Sequence, residues 1–338
     1  MIDAKILSVT TFVYFIAFAF YLLRMVSGRE GWGRLGSATA LIGLFAQTAA
    51  LILRWIASYQ MGIGHAPLSN LYESLIFFAW SIVALYLLVE RRTKNRSLGT
   101  FVVPIAFLCM AYASLSPNIS SRIQPLIPAL QSNWLVSHVV TCFLGYAAFT
   151  VAFAAGLMLL LKDRAGDGGA AQKMAARKET ASGMMGAETG EAGTATAKQA
   201  AATEKMKAPS GKGEPPSALG GATVLGGAMR RFVALIPAAD ALDELIYQSA
   251  AMGFVFLAIG IMTGSIWAHY AWGAYWSWDP KETWSLITWL VYAVMLHARF
   301  VRGWRGKRMA VMAVIGFISV LITYLGVNYL PGLHSYQS

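Results

Sequence analysis

The chain contains five histidines, and imidazole is a side chain that readily ligates metals and exchanges protons near neutral pH. Four of them lie at the ends of long apolar segments or outside these segments: His65, His138, His269 and, in the C-terminal tail, His334. The fifth, His297, lies inside an apolar segment, where an ionisable side chain is rare and usually functional. This set favours a ligating or proton-transferring role over five unrelated polar caps.

Residues 267–284 contain five of the eleven tryptophans within 18 positions. They are Trp267, Trp272, Trp276, Trp278 and Trp284. Tryptophan also collects at membrane surfaces, but such aromatic belts are spread over many helix ends. Large flat side chains at this density favour a flat, largely apolar ligand, which gains both burial and stacking. A porphyrin fits this description.

The two carboxylates of this segment have a structural explanation. Asp279, Pro280 and Glu282 form a typical helix N-terminus, with a capping residue, a proline in the first turn and an acidic residue three positions after the cap. No second carboxylate or base lies at a spacing suited to acid–base catalysis. We therefore predict that Asp279 and Glu282 cap the following helix.

The composition indicates a bundle of membrane-spanning helices. Hydrophobic residues make up 57% of the 338 residues and charged residues 13%, whereas about a quarter of the residues of a soluble protein are charged. Eight apolar segments approach the roughly 20 residues that a spanning helix needs. They lie near 8–27, 36–56, 71–90, 100–116, 136–161, 246–267, 283–300 and 309–329. The two cysteines form no CxxC pair, so thiol redox chemistry and a zinc site are not indicated.

The basic residues predict the orientation of these helices. Of 27 lysines and arginines, 23 fall in one set of alternate connections and only Lys5, Arg54, Arg122 and Lys281 in the other. Because basic residues collect on the cytoplasmic side, both termini and segment 267–284 are predicted to be non-cytoplasmic. The net charge of +11 is thus explained by topology, and no nucleic-acid partner is expected.

The chain divides into three regions. Residues 1–162 contain the first five predicted spans and residues 246–338 the last three. Between them, residues 163–245 are rich in small and charged residues, which predicts a largely disordered cytoplasmic linker. A short amphipathic stretch near 233–245 is predicted to lie along the membrane interface before the sixth span.

Iron connects the histidines with the tryptophans. Haem iron binds axial imidazoles, so two non-cytoplasmic histidines beside a tryptophan platform could hold one haem. His297 could belong to a second, deeper site, with a further ligand from a partner chain. A ligating imidazole is neutral, so binding would weaken as the pH falls through its pKa.

Segment 272–284 resembles the "WWD" signature of haem-handling proteins in cytochrome c biogenesis. Within that group the chain resembles the CcsA/ResC-type proteins of System II, which occur in many bacteria and in chloroplasts. Four further stretches carry this resemblance: residues 64–74, 136–139, 296–299 and 333–336. The resemblance covers about residues 36–160 and 246–338.

The resemblance implies a role for each matching residue. His138 and His334 would be the external axial ligands of haem iron, and His297 would ligate haem within the membrane. The tryptophan-rich loop, residues 267–284, would hold the face of the haem. Four tryptophans and the aspartate of the signature would make this contact: Trp272, Trp276, Trp278, Trp284 and Asp279. His65 matches a haem-related position of less defined role, and His269 is not counted as a ligand.

The resemblance also implies an activity, namely export of haem b across the membrane and its attachment to apocytochrome c. Such a cytochrome c haem lyase would act with a CcsB/ResB-type membrane partner on an apocytochrome with a CxxCH motif, and indirectly with thiol-reducing proteins. The expected location is the bacterial inner membrane, or the thylakoid membrane, with the haem site facing away from the cytoplasm. The chain has no CxxCH motif of its own.

Two other functions remain open. The chain could carry haem without ligase activity, leaving bond formation to a partner. It could instead be a transporter or respiratory subunit whose histidines relay protons or contact a quinone, which predicts carboxylates within helices. Glu73 and Glu90 are the obvious candidates, and both are predicted at helix ends.

Overall fold

The fold is built from eight α-helices and a short 3₁₀ helix, described in a computed structural model for residues 2–117, 119–125, 131–166 and 232–329. The α-helices are α1 (Ile2–Ser27), α2 (Glu30–Gln60), α3 (Leu71–Thr93), α4 (Gly99–Leu115), α5 (Asn133–Arg164), α6 (Ala239–Trp272), α7 (Pro280–Arg302) and α8 (Lys307–Tyr324). The 3₁₀ helix Gly326–Tyr329 follows α8. These described ranges contain no β-strand.

Seven of these helices are long and apolar enough to cross a membrane. The remaining one, α4, is apolar but has only 17 residues and contains Pro104. It corresponds to the shortest predicted span. The prediction of an all-α integral membrane protein with about eight membrane helices is confirmed.

The sixth helix begins earlier than its hydropathy predicts. It starts at Ala239 instead of near residue 246, so the second half of stretch 233–245 forms its first turns and is not a separate interfacial helix. Val233, Ile236 and Leu242 are buried against the bundle. Their apolar side chains therefore pack on neighbouring helices and not on a lipid surface. Linker residues 167–231 lie outside the described residues.

Helices α5 and α6 make the most extensive helix contact in the described part of the chain. Glycines permit it: a Cβ on Gly145 of α5 would lie 3.1 Å from the Gly253 carbonyl oxygen, and a Cβ on Gly260 would meet the Cys142 sulfur. Small residues that let backbones approach are the usual means of packing membrane helices, because apolar surface alone does not bring helices together in lipid.

A buried ion cluster joins α1, α2 and α3 at the same end of the bundle as the tryptophan-rich loop. Arg54 is 2% exposed and donates from Nε to Glu73 Oε1 at 2.7 Å and from Nη1 to Asp3 Oδ2 at 3.1 Å. Glu73 also accepts from the backbone nitrogen and hydroxyl of Ser69. The cluster thus fixes the start of α3 and the loop before it.

Replacing Arg54 with Met is expected to destabilise the protein strongly. The substitution leaves the carboxylates of Asp3 and Glu73 buried without their cation, which costs on the order of 3–5 kcal/mol. The thermal unfolding midpoint of the detergent-purified protein should therefore fall clearly. Arg122→Met, at an exposed loop position, is the matched control and should leave the midpoint unchanged. Equal midpoints for the two variants would contradict a structural role for the cluster.

Candidate functional site

A cavity of about 110 Å³ lies where α5, α6, the tryptophan-rich loop, α7 and the end of α8 meet. Its walls include His138 and Cys142 of α5, Gly264 and Ser265 of α6, Tyr275 and Trp276 of the loop, Lys281 and Ser285 of α7, and Thr323 and Tyr324 of α8. The lining is mainly aromatic and apolar with a few polar groups, which is the usual character of a small-molecule site.

His138 is held in one orientation by α6. Its Nδ1 lies 2.7 Å from the carbonyl oxygen of Gly260, and its ring stacks on Trp267 with 6.2 Å between centroids and 15° between planes. A carbonyl only accepts a hydrogen bond, so Nδ1 carries the proton and Nε2 the lone pair of the neutral ring. This arrangement fixes the tautomer and orientation of many metal-ligating histidines. His138 is therefore chemically suited to ligate haem iron through Nε2.

Two glycines of α6 make this arrangement possible, and neither was among the residues predicted for the site. A Cβ on Gly264 would collide with the His138 ring, and one on Gly260 would collide with Cys142. Gly253, Gly260 and Gly264 are spaced by seven and four residues, which places them on one helix face. This small-residue spacing is a signal in the sequence that predicts a close helix contact.

The structure separates the tryptophans that the sequence groups together. Trp276 lines the cavity. Trp272 packs edge-on against Trp267, with centroids 4.8 Å apart, and Trp267 in turn stacks on His138. Trp278 is 71% exposed and has a positive φ of 59°, which is unusual for a bulky residue. Trp284 lies beyond the cavity lining, where its carbonyl accepts from Thr323.

Asp279 and Glu282 cap α7, as predicted. The Asp279 side chain accepts from the Lys281 backbone nitrogen at 3.1 Å. In return Glu282 accepts from the backbone nitrogen of Asp279 at 3.3 Å and from that of Ser277 at 2.7 Å, which completes a capping box. Both carboxylates therefore fix the end of the tryptophan-rich loop to α7.

His65 and His269 are not among the residues that line this cavity, although His65 lines a separate cavity of about 480 Å³. His65 is 8% exposed, and its ring nitrogens lie 2.8 Å from the Ala66 carbonyl oxygen and 2.9 Å from that of Gln124, so the ring bridges two loops. His269 is exposed and stacks on Tyr275, with centroids 4.2 Å apart and planes 7° apart. In the structure both rings act as supports for loops.

His297 lies on the outer surface of α7, far along the helix from the cavity. Its side chain is exposed between Val294 and Val301, which are 57% and 67% exposed. Nearby, Arg299 pairs with Asp243 of α6 at 2.6 Å and anchors this end of α7. The imidazole therefore faces the surroundings of the bundle. His334, the second predicted external ligand, lies outside the described residues.

Several polar residues of the cavity were not predicted from the sequence. Among them, the Thr323 hydroxyl lies 2.9 Å from that of Thr288, and Tyr324 Oη lies 2.9 Å from Ser74 Oγ. These contacts tie α8 to α7 and α3 beside the cavity. Lys281 is a cation in the same wall, and its only signal in the sequence is that it departs from the charge bias of the loops.

Comparisons with known proteins identify the family of the chain and agree with its fold. The family model for the cytochrome C assembly protein matches residues 68–334, a range that includes His138, His297 and His334 but not His65. The cytochrome c biogenesis protein CcsA of Gloeobacter violaceus is 38% identical over 332 residues, covering 98% of this chain and 92% of its own length. CcsA of Synechocystis is 38% identical over 333 residues, covering 98% and 94%.

A solved structure shares the fold. The cytochrome c heme lyase CcmF superposes with a TM-score of 0.59 at 16% identity, covering 95% of this chain but 46% of the CcmF chain. The chain thus corresponds to about half of that protein, and the likeness concerns the fold alone. The match of the family model over most of the chain and the near full-length similarity to CcsA proteins show that the chain belongs to the cytochrome c assembly protein family.

Proposed function

We propose that this protein exports haem b across the membrane and, with a CcsB/ResB-type partner, presents it for covalent attachment to apocytochrome c. The observation that carries the proposal is His138, whose Nδ1 is bound to the Gly260 carbonyl in the wall of an aromatic cavity. The related CcsA proteins are named for cytochrome c biogenesis, which supports the same class of cargo.

In this proposal His138 is one axial ligand of the haem iron and His334 the other. Bis-imidazole ligation fills both axial positions and holds the haem until a substrate is present. The histidine of an incoming CxxCH segment then replaces one of the two ligands. The charge bias of the loops supports a cavity that faces away from the cytoplasm, in the bacterial inner membrane or the thylakoid membrane.

Loading of the cavity requires the tryptophan-rich loop to move. The volume of about 110 Å³ lies below the roughly 300–1,000 Å³ of typical small-molecule sites. The loop has two unusual backbone positions at which its path is set, Gly273 with φ of 80° and Trp278 with φ of 59°. Outward movement between the fixed ends of α6 and α7 would open the cavity and bring the exposed Trp278 to the haem.

Bond formation in this proposal relies on positioning. Each cysteine thiol adds across a haem vinyl group, so that the sulfur bonds to one vinyl carbon and the proton goes to the other. The nearby carboxylates of Asp279 and Glu282 are engaged in the cap of α7, which disfavours a role for them as acid or base. Proximity and orientation would then supply the rate enhancement, with the reactivity residing in the haem.

The position of His297 supports a second site, shared with the partner, on the path of haem into the cavity. An exposed imidazole on the outer face of a membrane helix is costly in lipid unless another chain or a ligand covers it. A haem held between His297 and a partner histidine would satisfy this requirement.

A proton relay would need the carboxylates of Glu73 and Glu90, and the bonds that both of them make disfavour this alternative. Glu73 is paired with Arg54 at 2.7 Å. Glu90 accepts from the hydroxyls of Tyr21 and Tyr86 and pairs with Arg96. Both carboxylates lie at helix ends and hold helices together, so neither is poised to pass a proton along the membrane normal.

Expression of the chain with its partner and an apocytochrome, in a host that lacks its own assembly system, tests the proposed function. We expect covalent cytochrome c, detected by haem staining of denatured gels, and b-type absorption bands in the purified complex. Haem bands without covalent product would instead establish a carrier without ligase activity. Absence of haem bands would contradict the proposal as a whole.

Replacing His138 with Ala should abolish cytochrome c maturation and change the haem spectrum, because one axial ligand is lost; His334→Ala should do the same. Haem spectra and maturation yields in the host above are the measurements. His138→Gly with added imidazole should recover part of the haem signal if the ring ligates iron. His269→Ala is the control and should mature cytochrome c normally. Wild-type maturation in His138→Ala would contradict the assignment.

Replacing His297 with Ala should lower the haem content of the purified complex, because the proposed deeper site lies upstream of the cavity. The measurement is haem per protein by the pyridine haemochrome assay. Val294→Ala, one turn away on the same exposed face, is the matched control and should retain haem. Unchanged haem content in His297→Ala would rule out this export route.

A further inference from the structure

Lys281 occupies an unusual place for a cation. It lies in the wall of the cavity, next to the apolar and aromatic side chains that dominate the lining. Among the lining residues that the structure describes, it is the one lysine or arginine. A lysine in such surroundings loses solvation; the charge of Asp279 offsets part of this cost, and an anion bound in the cavity would offset more of it.

The charge bias that sets the membrane topology does not explain why a lysine lies at position 281. It is one of only four basic residues on the side predicted to be non-cytoplasmic. Of the others, Arg54 is paired inside the ion cluster, and Lys5 and Arg122 are exposed to the surroundings. Lys281 differs from all three because it faces a cavity.

Asp279 acts on Lys281 through its charge, and Glu282 lines the same cavity. The acidic and hydroxyl groups near Lys281 also make the bonds that build the site. Asp279 and Glu282 accept backbone N–H groups in the capping box, and the Ser285 hydroxyl donates to the Glu282 carbonyl at 2.7 Å. The Thr323 hydroxyl, which has one proton to donate, lies 3.1 Å from the Trp284 carbonyl oxygen and 2.8 Å from that of Ser319. The ammonium group, in contrast, has three donors and can bind a carboxylate in addition to any partner in the chain.

We propose that Lys281 binds a propionate carboxylate of the haem whose iron is ligated by His138, a step that rests on the proposed function. The porphyrin carries two propionates on one edge of an otherwise apolar ring. Lys281 of α7 and the imidazole of α5 line the same cavity, so the ammonium group would bind that edge by a charge-assisted hydrogen bond. Lys281 thereby sets the rotation of the ring about the His138–iron axis, and with it the positions of the vinyl groups.

Specificity follows from the same contact. A porphyrin whose propionates are esterified has the same ring and iron but no anionic edge. The cavity should therefore distinguish haem from its dimethyl ester, and Lys281 should be the residue responsible.

The test compares the affinity of the haem-depleted complex for haem b and for haem dimethyl ester. We expect the wild type to bind haem about tenfold or more tightly than the ester, which is the size of one charge-assisted hydrogen bond. Lys281→Gln should lose this preference by weakening haem binding while leaving ester binding unchanged. Lys281→Arg should keep most of the preference, and Arg122→Gln, outside the cavity, should keep all of it.

The outcomes separate this proposal from the proposed function. Equal affinity of the wild type for haem and ester would overturn the role of Lys281 while leaving haem binding intact. So would a Lys281→Gln variant that loses affinity for both ligands equally, since that pattern indicates a structural role. A wild-type complex that binds neither ligand would contradict the proposed function itself. If Lys281→Gln does not fold, the preferences of the wild type and of Lys281→Arg decide the question.

Discussion

The close approach of α6 to α5 is the contact on which the candidate site depends. Gly260 presents its carbonyl oxygen to Nδ1 of His138, and Gly264 leaves the space that the imidazole ring occupies. Helices in lipid gain little from burying apolar surface against each other, so backbone proximity and the resulting packing provide much of the association. The orientation of the proposed iron ligand is thus a property of the helix pair. A side chain larger than hydrogen at either glycine would change it.

The tryptophan-rich loop is held at both ends and shaped between them. Gly273 ends α6 in a left-handed conformation, and the capping box of Asp279 and Glu282 begins α7. Between these points Trp276 faces the cavity while Trp278 projects outward from a strained backbone position. Strain of this kind often accompanies a functional conformational change. It suits the proposed opening of the loop, which a porphyrin would require because it is much larger than the cavity.

Several acidic residues of the helix bundle form ion pairs that hold its elements together. Glu73 pairs with Arg54, Glu90 with Arg96 and Asp243 with Arg299, each near the end of a helix. These pairs satisfy charges that would otherwise be costly in a low-dielectric interior. The groups that remain for the proposed binding of haem are the imidazoles, the aromatic cavity and one lysine. Such a set favours binding and orientation over acid–base chemistry, in keeping with the proposed haem cargo, which would supply its own reactivity.

Local and compositional features were predictable from the sequence alone. Long apolar segments predicted the helices because the length of an apolar run can be counted directly in the sequence. The cap at Asp279 was predictable because capping involves residues within one helical turn. The histidines and the tryptophan signature likewise predicted a haem site, because residue types and their spacing are properties of the sequence. The start of α6 was missed because burial of 233–245 against other helices is invisible to hydropathy.

The tertiary structure decided which of these residues contact one another. It placed Trp267 beside His138, Trp278 at the surface, His65 between two loop carbonyls and Lys281 in the cavity wall. Sequence spacing determines which face of its own helix a residue occupies, but not which neighbouring helix covers that face. That choice depends on packing between residues distant in sequence, here the glycines of α6 against α5.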